Sequence, residues 1–264
     1  MQGKELFLEA SEIFIFLQQT KRQRVIDGAF VPILSEDLSA YRQNLVLIWS
    51  QLGDFDSLEY AWWLHRERQL LQRSGVRVRA VGIGNRASGQ KFCQYTGFPE
   101  QDLFVDPTAE LHHELGLYAG LKLKVPGLSA GQCTWVNLML MCAGLGSPGT
   151  LAEVLRGYLG DRRSLQLIAD EEIIKAGPLP PLKGKSFSLF GRGFQRPIEL
   201  ATLRLRNMTE VLSHWPLYVP DATYLTQRGA TYLFDGQGTL LYAHRDPGIL
   251  GFAANMSRPL DFLG

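Results

Sequence analysis

Leu45-Val46-Leu47-Ile48-Trp49, followed by Gly53-Asp54-Phe55-Asp56-Ser57, decides how this chain folds. The first five residues are of strand length, rich in branched side chains and bounded by a polar turn, which suits a central strand buried on both faces. Beyond the turn, Asp56 is placed to cap a helix, with Glu59 three residues on to complete a capping box. Leu58, Ala61, Trp62, Leu64, Leu70 and Leu71 give that helix an apolar face, and Gly75 stops it. Val76 to Ile83 again reads as strand. Strand, helix and strand in that order imply a parallel pair joined by a right-handed crossover.

Composition is consistent with this beginning. The chain has 264 residues, 45% of them apolar and 20% charged, enough to bury one substantial core or two modest ones. A net charge of +1 gives no overall drive toward nucleic acid or anionic membrane. The longest apolar runs, Ile13 to Leu17 and Trp135 to Cys142, are too short to cross a bilayer, and Glu5, Glu9 and Glu12 contradict a secretory signal, so an intracellular protein is expected. Cys93, Cys133 and Cys142 form neither a CxxC pair nor a metal-ligand spacing, which argues for reduced thiols and against a disulfide framework or a zinc site. No cofactor is called for.

Outward from the opening unit, residues 1–27 read as an amphipathic N-terminal helix, with Leu6, Ile13, Phe14 and Leu17 on its apolar side and a basic run, Lys21-Arg22-Gln23-Arg24, at its end. Gly89 to Tyr95 predicts a short helix, Leu103 to Val105 a strand, and Thr108 to Leu115 a helix introduced by Asp106-Pro107. Near the other end, Thr231 to Phe234, the turn Asp235-Gly236-Gln237-Gly238, and Thr239 to His244 read as a β-hairpin. An early parallel unit and a late antiparallel hairpin in one sheet describe an α/β, thioredoxin-like three-layer sandwich with a mixed central sheet. Its core covers about 44–117 and 228–250. Residues 118–227 exceed what such a fold needs and read as a long, mainly helical insertion with helices through Cys133 to Ala143, Leu151 to Tyr158 and Pro197 to His214, and with the Pro-rich run Gly177 to Pro181 as a surface arm. The glycines of Gly82-Ile83-Gly84-Asn85-Arg86-Ala87-Ser88-Gly89 fit a tight strand-to-helix turn better than a phosphate loop, since no Lys-Ser/Thr end follows.

Several of these stretches resemble the peroxiredoxin-like branch of the alkyl hydroperoxide reductase and thiol-specific antioxidant (AhpC/TSA) superfamily. They are Asn44 to Leu117, with Val81-Gly82-Ile83-Gly84, Phe104-Val105-Asp106-Pro107 and Glu114-Leu115-Gly116-Leu117; Arg156-Gly157-Tyr158-Leu159-Gly160-Asp161; and Arg228 to Asp246, which is similar to the family's closing hairpin and its His-Arg-acid run. Gln51 to Tyr60 is similar to a subgroup of oxygenic phototrophs, which implies a cyanobacterial or plastid setting: cytoplasm or plastid stroma, with peripheral membrane contact open. The resemblance implies a thioredoxin fold and antioxidant redox chemistry. Relatives commonly carry a cysteine or a CxxC pair after the glycine, where this chain has Asp54 and Ser57. A helix N-terminus favours negative charge and depresses a thiol's pKa, but a carboxylate placed there cannot form a sulfenic acid.

Two readings of the corner compete. In one, Asp56 and Glu59 cap the helix and Asp54 is a solvated loop residue; in the other, the three acids form a cation- or partner-binding mouth, for which no further ligands are evident and no metal is expected. Arg228 resembles the arginine that steadies a peroxiredoxin's thiolate and peroxide; here it is expected to meet Asp54 as an ion pair. Cys93, on a polar helix beside Lys91, is the candidate replacement thiol, while Cys133 and Cys142 flank an apolar run and read as core. From 183 to 206, Lys183, Lys185, Arg192, Arg196, Arg204 and Arg206 interleave with Phe187, Phe190 and Phe194, the composition of a solvated helix face or of a segment that docks on a protein or an anionic lipid surface. The leading functional expectation is a non-catalytic binding or assembly module with a protein partner and no nucleic acid. The alternatives are a thiol peroxidase or oxidoreductase acting through Cys93, and a small-anion binder anchored by Arg228.

Overall fold

A computed structural model describes residues 10–34, 41–177 and 179–264. Its centre is β3 (Gln43–Gln51), buried along almost its whole length. β4 (Val76–Ile83) lies parallel to it, with Leu45 opposite Val78 and Trp49 opposite Gly82. β5 (Leu103–Val105) continues the parallel set beyond β4. On the other side of β3, β8 (Ala230–Asp235) pairs antiparallel with Leu45 opposite Leu233, and β9 (Leu240–Arg245) closes the hairpin. β1 (Lys21–Arg24) and β2 (Phe30–Pro32) add antiparallel strands outside β5. The seven-stranded order is β2-β1-β5-β4-β3-β8-β9, a mixed sheet of the thioredoxin-like kind.

Side chains along β3 alternate between two cores. Leu45, Leu47 and Trp49 face a layer containing α2 (Phe55–Arg66), α3 (Arg68–Arg73) and α4 (Arg86–Thr96), whereas Val46 and Ile48 face α1 (Ala10–Gln19) and α5 (Glu110–Glu114). A strand buried on both sides needs apolar residues at every position, which is why Leu45 to Trp49 lacks alternation. α4 starts with a capping box in which Asn85 accepts from Ser88 N, so the Gly82-to-Gly89 turn is accounted for by helix entry.

The N-terminal expectation is corrected here. The helix stops at Gln19, and Lys21 to Arg24 form a strand instead of its last turn. Those four residues offer no apolar side chain to continue a helical face, and the open edge of β5 supplies hydrogen-bond partners that a solvated helix end lacks. Residues 1–9 lie outside the described residues.

The segment 118–227 carries α6 (Ala130–Cys142), α7 (Thr150–Leu159), a two-stranded ribbon of β6 (Ile173–Ile174) and β7 (Leu182–Lys183), then α8 (Glu199–Ser213) and α9 (Trp215–Tyr218). Leu167, Ile168, Ile174, Leu200, Leu203, Val211 and Tyr218 join the same buried cluster as Leu45 and Trp49. The segment thickens one layer of the sandwich. Among the described residues, no helix is long and apolar enough to cross a membrane.

Candidate functional site

The β3-to-α2 corner is shaped by a close approach. A Cβ on Gly53 would stand 2.9 Å from both Tyr218 Cβ and Val219 Cγ2, so only glycine lets the end of α9 lie against the turn. Asp54 follows in extended conformation and is the N-cap, its Oδ1 accepting from Asp56 N at 3.1 Å. The expectation that Asp56 caps and Asp54 is solvated is therefore reversed. Asp56 sits inside the first turn, buried, because two other groups claim its carboxylate: Leu250 N donates to Oδ1 at 2.8 Å, and Arg228 Nη1 to Oδ2 at 3.3 Å. Leu250 is held with φ at 56°, a left-handed conformation that a leucine adopts only under such constraint. Glu59 turns away from the helix start and binds Arg204, with Oε2 to Nε at 2.7 Å and Oε1 to Nη2 at 3.1 Å.

Arg228, at the entrance to β8, is 0% exposed. Its Nη2 donates to Asp54 Oδ2 at 2.6 Å and to the Leu225 carbonyl at 2.9 Å, and its Nε to the Thr226 carbonyl at 3.1 Å. All three guanidinium nitrogens are thus engaged within the protein. Burial alone would weaken the charge, but Asp54 and Asp56 outweigh it and raise the Arg228 pKa. The carboxylates divide the opposite way. Burial, reinforced by the Asp54 charge, pushes Asp56 well above the ordinary carboxyl range. Asp246, whose Oδ2 accepts from Gly229 N at 3.0 Å, is pushed up to about 7, chiefly by burial and despite Arg228. Three carboxylates around one guanidinium leave an excess of negative charge that protons relieve.

Ser57 is fully buried, and its Oγ shares a 3.2 Å hydrogen bond with Ser50 Oγ, so it presents no hydroxyl to a cavity. Cys93 is also placed away from the corner, 5% exposed in the core, with burial raising its thiol to about 12. Burial of this kind favours the protonated, less nucleophilic form of the thiol.

A different cysteine, read from sequence as core, comes close. Cys142, half-buried at the end of α6, lines an apolar cavity of about 190 Å³ together with Gln51, Asp54 and Phe55. A larger cavity of about 480 Å³ shares Phe55, Cys142, Met208 and Ile249 with it. The Cys142 thiol is raised, first by burial and then by the Asp54 charge, the reverse of what activates a peroxidatic sulfur. Nothing local in the sequence points to Cys142; it arrives because the chain folds back over α2.

The sequence pattern of the family described as AhpC/TSA antioxidant enzyme matches residues 63–248, well over half of the chain. The chain belongs to the AhpC/TSA antioxidant enzyme family. No curated protein sequence matches it significantly. The family match begins at Trp63, past Asp54 and Ser57, and takes in Cys93, Cys142 and Arg228. In this family member the β3–α2 corner, just ahead of the matched residues, holds the Asp54–Arg228 ion pair.

The basic segment, read from sequence as a solvated face or a docking segment, is turned inward in part. Arg196 is 0% exposed, its Nη1 bound to Asp170 at 2.8 Å and its Nη2 to Glu199 at 2.8 Å. Arg204 serves Glu59, and Arg206 lies 3.9 Å from Glu172. Phe187 is buried, and Phe194 lies under Arg162. Lys183, Lys185 and Arg192 remain exposed. Asp170, Glu59 and Glu172 from elsewhere in the chain, with Glu199, pair with arginines of this segment, which sequence spacing does not reveal. Among the described residues no three His, Cys, Asp or Glu side chains are grouped to hold a metal ion.

Proposed function

We propose that this AhpC/TSA-family chain has given up thiol peroxidase chemistry at the β3–α2 corner and keeps the scaffold as a binding or assembly module. The reading rests on one contact, Arg228 Nη2 to Asp54 Oδ2 at 2.6 Å. The pair fills the place that the resemblance gives to thiolate and guanidinium, and a carboxylate has no sulfenic state through which to reduce a peroxide. The burial of Cys93 counts against the reading in which that thiol takes over. The engagement of every Arg228 nitrogen inside the protein, with two carboxylates beside it, counts against a small-anion site.

An assembly role has support of its own on α7, where Leu151, Leu155, Tyr158 and Leu159 stand exposed at helical spacing. An apolar stripe of that kind suits a protein partner more than water does.

The test is peroxide consumption by the purified protein with dithiothreitol or thioredoxin as reductant. No turnover of hydrogen peroxide or organic peroxides is expected. Turnover that disappears in Cys93→Ser or Cys142→Ser would overturn the reading.

A further inference from the structure

The cavity beside Asp54 has a chemistry that the ion pair does not use up. Its walls are almost wholly apolar, built from Leu138, Met139, Leu212 and the stacked pair Trp135 and Trp215, whose rings lie 5.1 Å apart. Met139 and Leu212 are exposed at its rim, so the cavity communicates with solvent. The polar part of the wall consists of Gln51, Asp54 and the thiol of Cys142. Gln51 donates its amide nitrogen to the Asp221 carbonyl, which leaves Gln51 Oε1 buried with no partner among the described residues. Asp54 contributes a carboxylate, and the cation that balances it, Arg228, is fully buried behind it. The polar end therefore offers two strong acceptors and, at Cys142, only a weak thiol donor. A buried acceptor without a donor is unfavourable, and a ligand's N–H or O–H would relieve it. A cavity of about 190 Å³ has room for one aromatic ring, since an apolar protein cavity of about 150 Å³ takes up benzene.

We infer that this cavity binds a small arylalkyl amine, its ring among Leu138, Met139 and Trp215 and its ammonium group against Gln51 Oε1 and the Asp54 carboxylate. The inference rests on the proposed closure of the Asp54–Arg228 pair, because a free Arg228 would select an anion instead. An end dominated by acceptors attracts a cationic donor, accepts a neutral hydroxyl less well, and repels a carboxylate.

Calorimetric titration of the intact protein with 2-phenylethylamine, 2-phenylethanol and phenylacetate tests this, because the three share a ring and chain and differ at the head. Saturable one-to-one binding of the amine is expected at least about tenfold tighter than phenylacetate, with the alcohol between them. Met139→Trp, at the exposed rim, should weaken the amine at least about tenfold while leaving the thermal midpoint unchanged. Absence of saturable amine binding, phenylacetate binding as tightly as the amine, or an amine affinity unmoved by Met139→Trp would each overturn the inference. Peroxide turnover separates the two proposals: activity lost in Cys142→Ser sinks the functional reading whatever the cavity binds, whereas a failed ligand series sinks only the cavity assignment.

Discussion

Among the described residues, Arg196 and Arg228 are completely buried, and each is gripped by two carboxylates, yet the two nodes are electrostatically unlike. Arg196, in the segment that covers α2, meets Glu199 and the partly exposed Asp170; attraction to Arg196 holds Asp170 below the ordinary carboxyl range. Arg228, at the corner of the sheet, meets Asp54 and Asp56 with Asp246 close by, and burial drives Asp56 and Asp246 up. Water reaches one partner of Arg196 but scarcely those of Arg228. The same pair of residue types thus gives a relaxed structural clamp in one place and a charge-crowded pocket in the other.

Removing the cations tests the contrast most strongly. Arg228→Met leaves buried carboxylates without their counter-charge and is expected to destabilise the fold by about 3–5 kcal/mol. Arg196→Met should cost at least about 1 kcal/mol less, because Asp170 can be hydrated and Glu199 keeps the Ile168 and Arg196 backbone N–H groups. Urea unfolding midpoints of the two variants check this, and equal losses would erase the distinction.

The crowding also predicts a pH dependence. Asp246 holds its proton up to about 7 in the folded state, against about 4 when unfolded. Between those values the native state binds more protons than the unfolded one, so stability falls as pH rises from about 4 to 7 and levels off above. Asp246→Asn keeps an acceptor for Gly229 N and removes the titration. Relative to the wild type it should gain about 3 kcal/mol between pH 4.5 and 8 in urea unfolding; a constant difference would mean that Asp246 is ionised throughout.

Gly53→Ala asks how tightly the corner is closed. A methyl group directed at Tyr218 and Val219 is expected to destabilise by about 1–3 kcal/mol in thermal unfolding. A neutral outcome would show that the end of α9 can withdraw.

The smallest expected effect is the most direct comparison with a working peroxiredoxin. Asp54→Cys, made with Cys133 and Cys142 replaced by serine, loses an N-cap worth about 1 kcal/mol but should give a thiol whose iodoacetamide reaction has a midpoint below about 8.5, since helix terminus and Arg228 both favour an anion. An ordinary midpoint would show that Asp56 and Asp246 cancel that field.

Much of the scaffold was legible because its signals are local. The unbroken run Leu45 to Trp49, Val76 to Ile83, and the Asp235-to-Gly238 turn each carry their own strand or hairpin pattern, and β3, β4, β8 and β9 follow them. The site was legible only in part. Arg228 and Asp54 were expected to approach, and they touch. The cap, however, lies at Asp54 and not at Asp56, because Leu250 N and Arg228, both remote in sequence, draw the second carboxylate inward. The basic face around Arg196 dissolved for the same reason: Asp170 and Glu59 find Arg196 and Arg204 only after the chain folds back.

By itself the sequence determined a mixed α/β sandwich and a helix start that carries Asp54, Asp56 and Ser57 and no cysteine, since periodicity, turn residues and side-chain chemistry are properties of neighbours along the chain. Tertiary structure alone decided which acid caps, which arginines are buried, and that Cys93 lies in the core while Cys142 lines the corner cavity beside Gln51 and Asp54. Burial and charge pairing depend on distances between residues up to 194 positions apart, as between Asp56 and Leu250, and no local pattern encodes those distances.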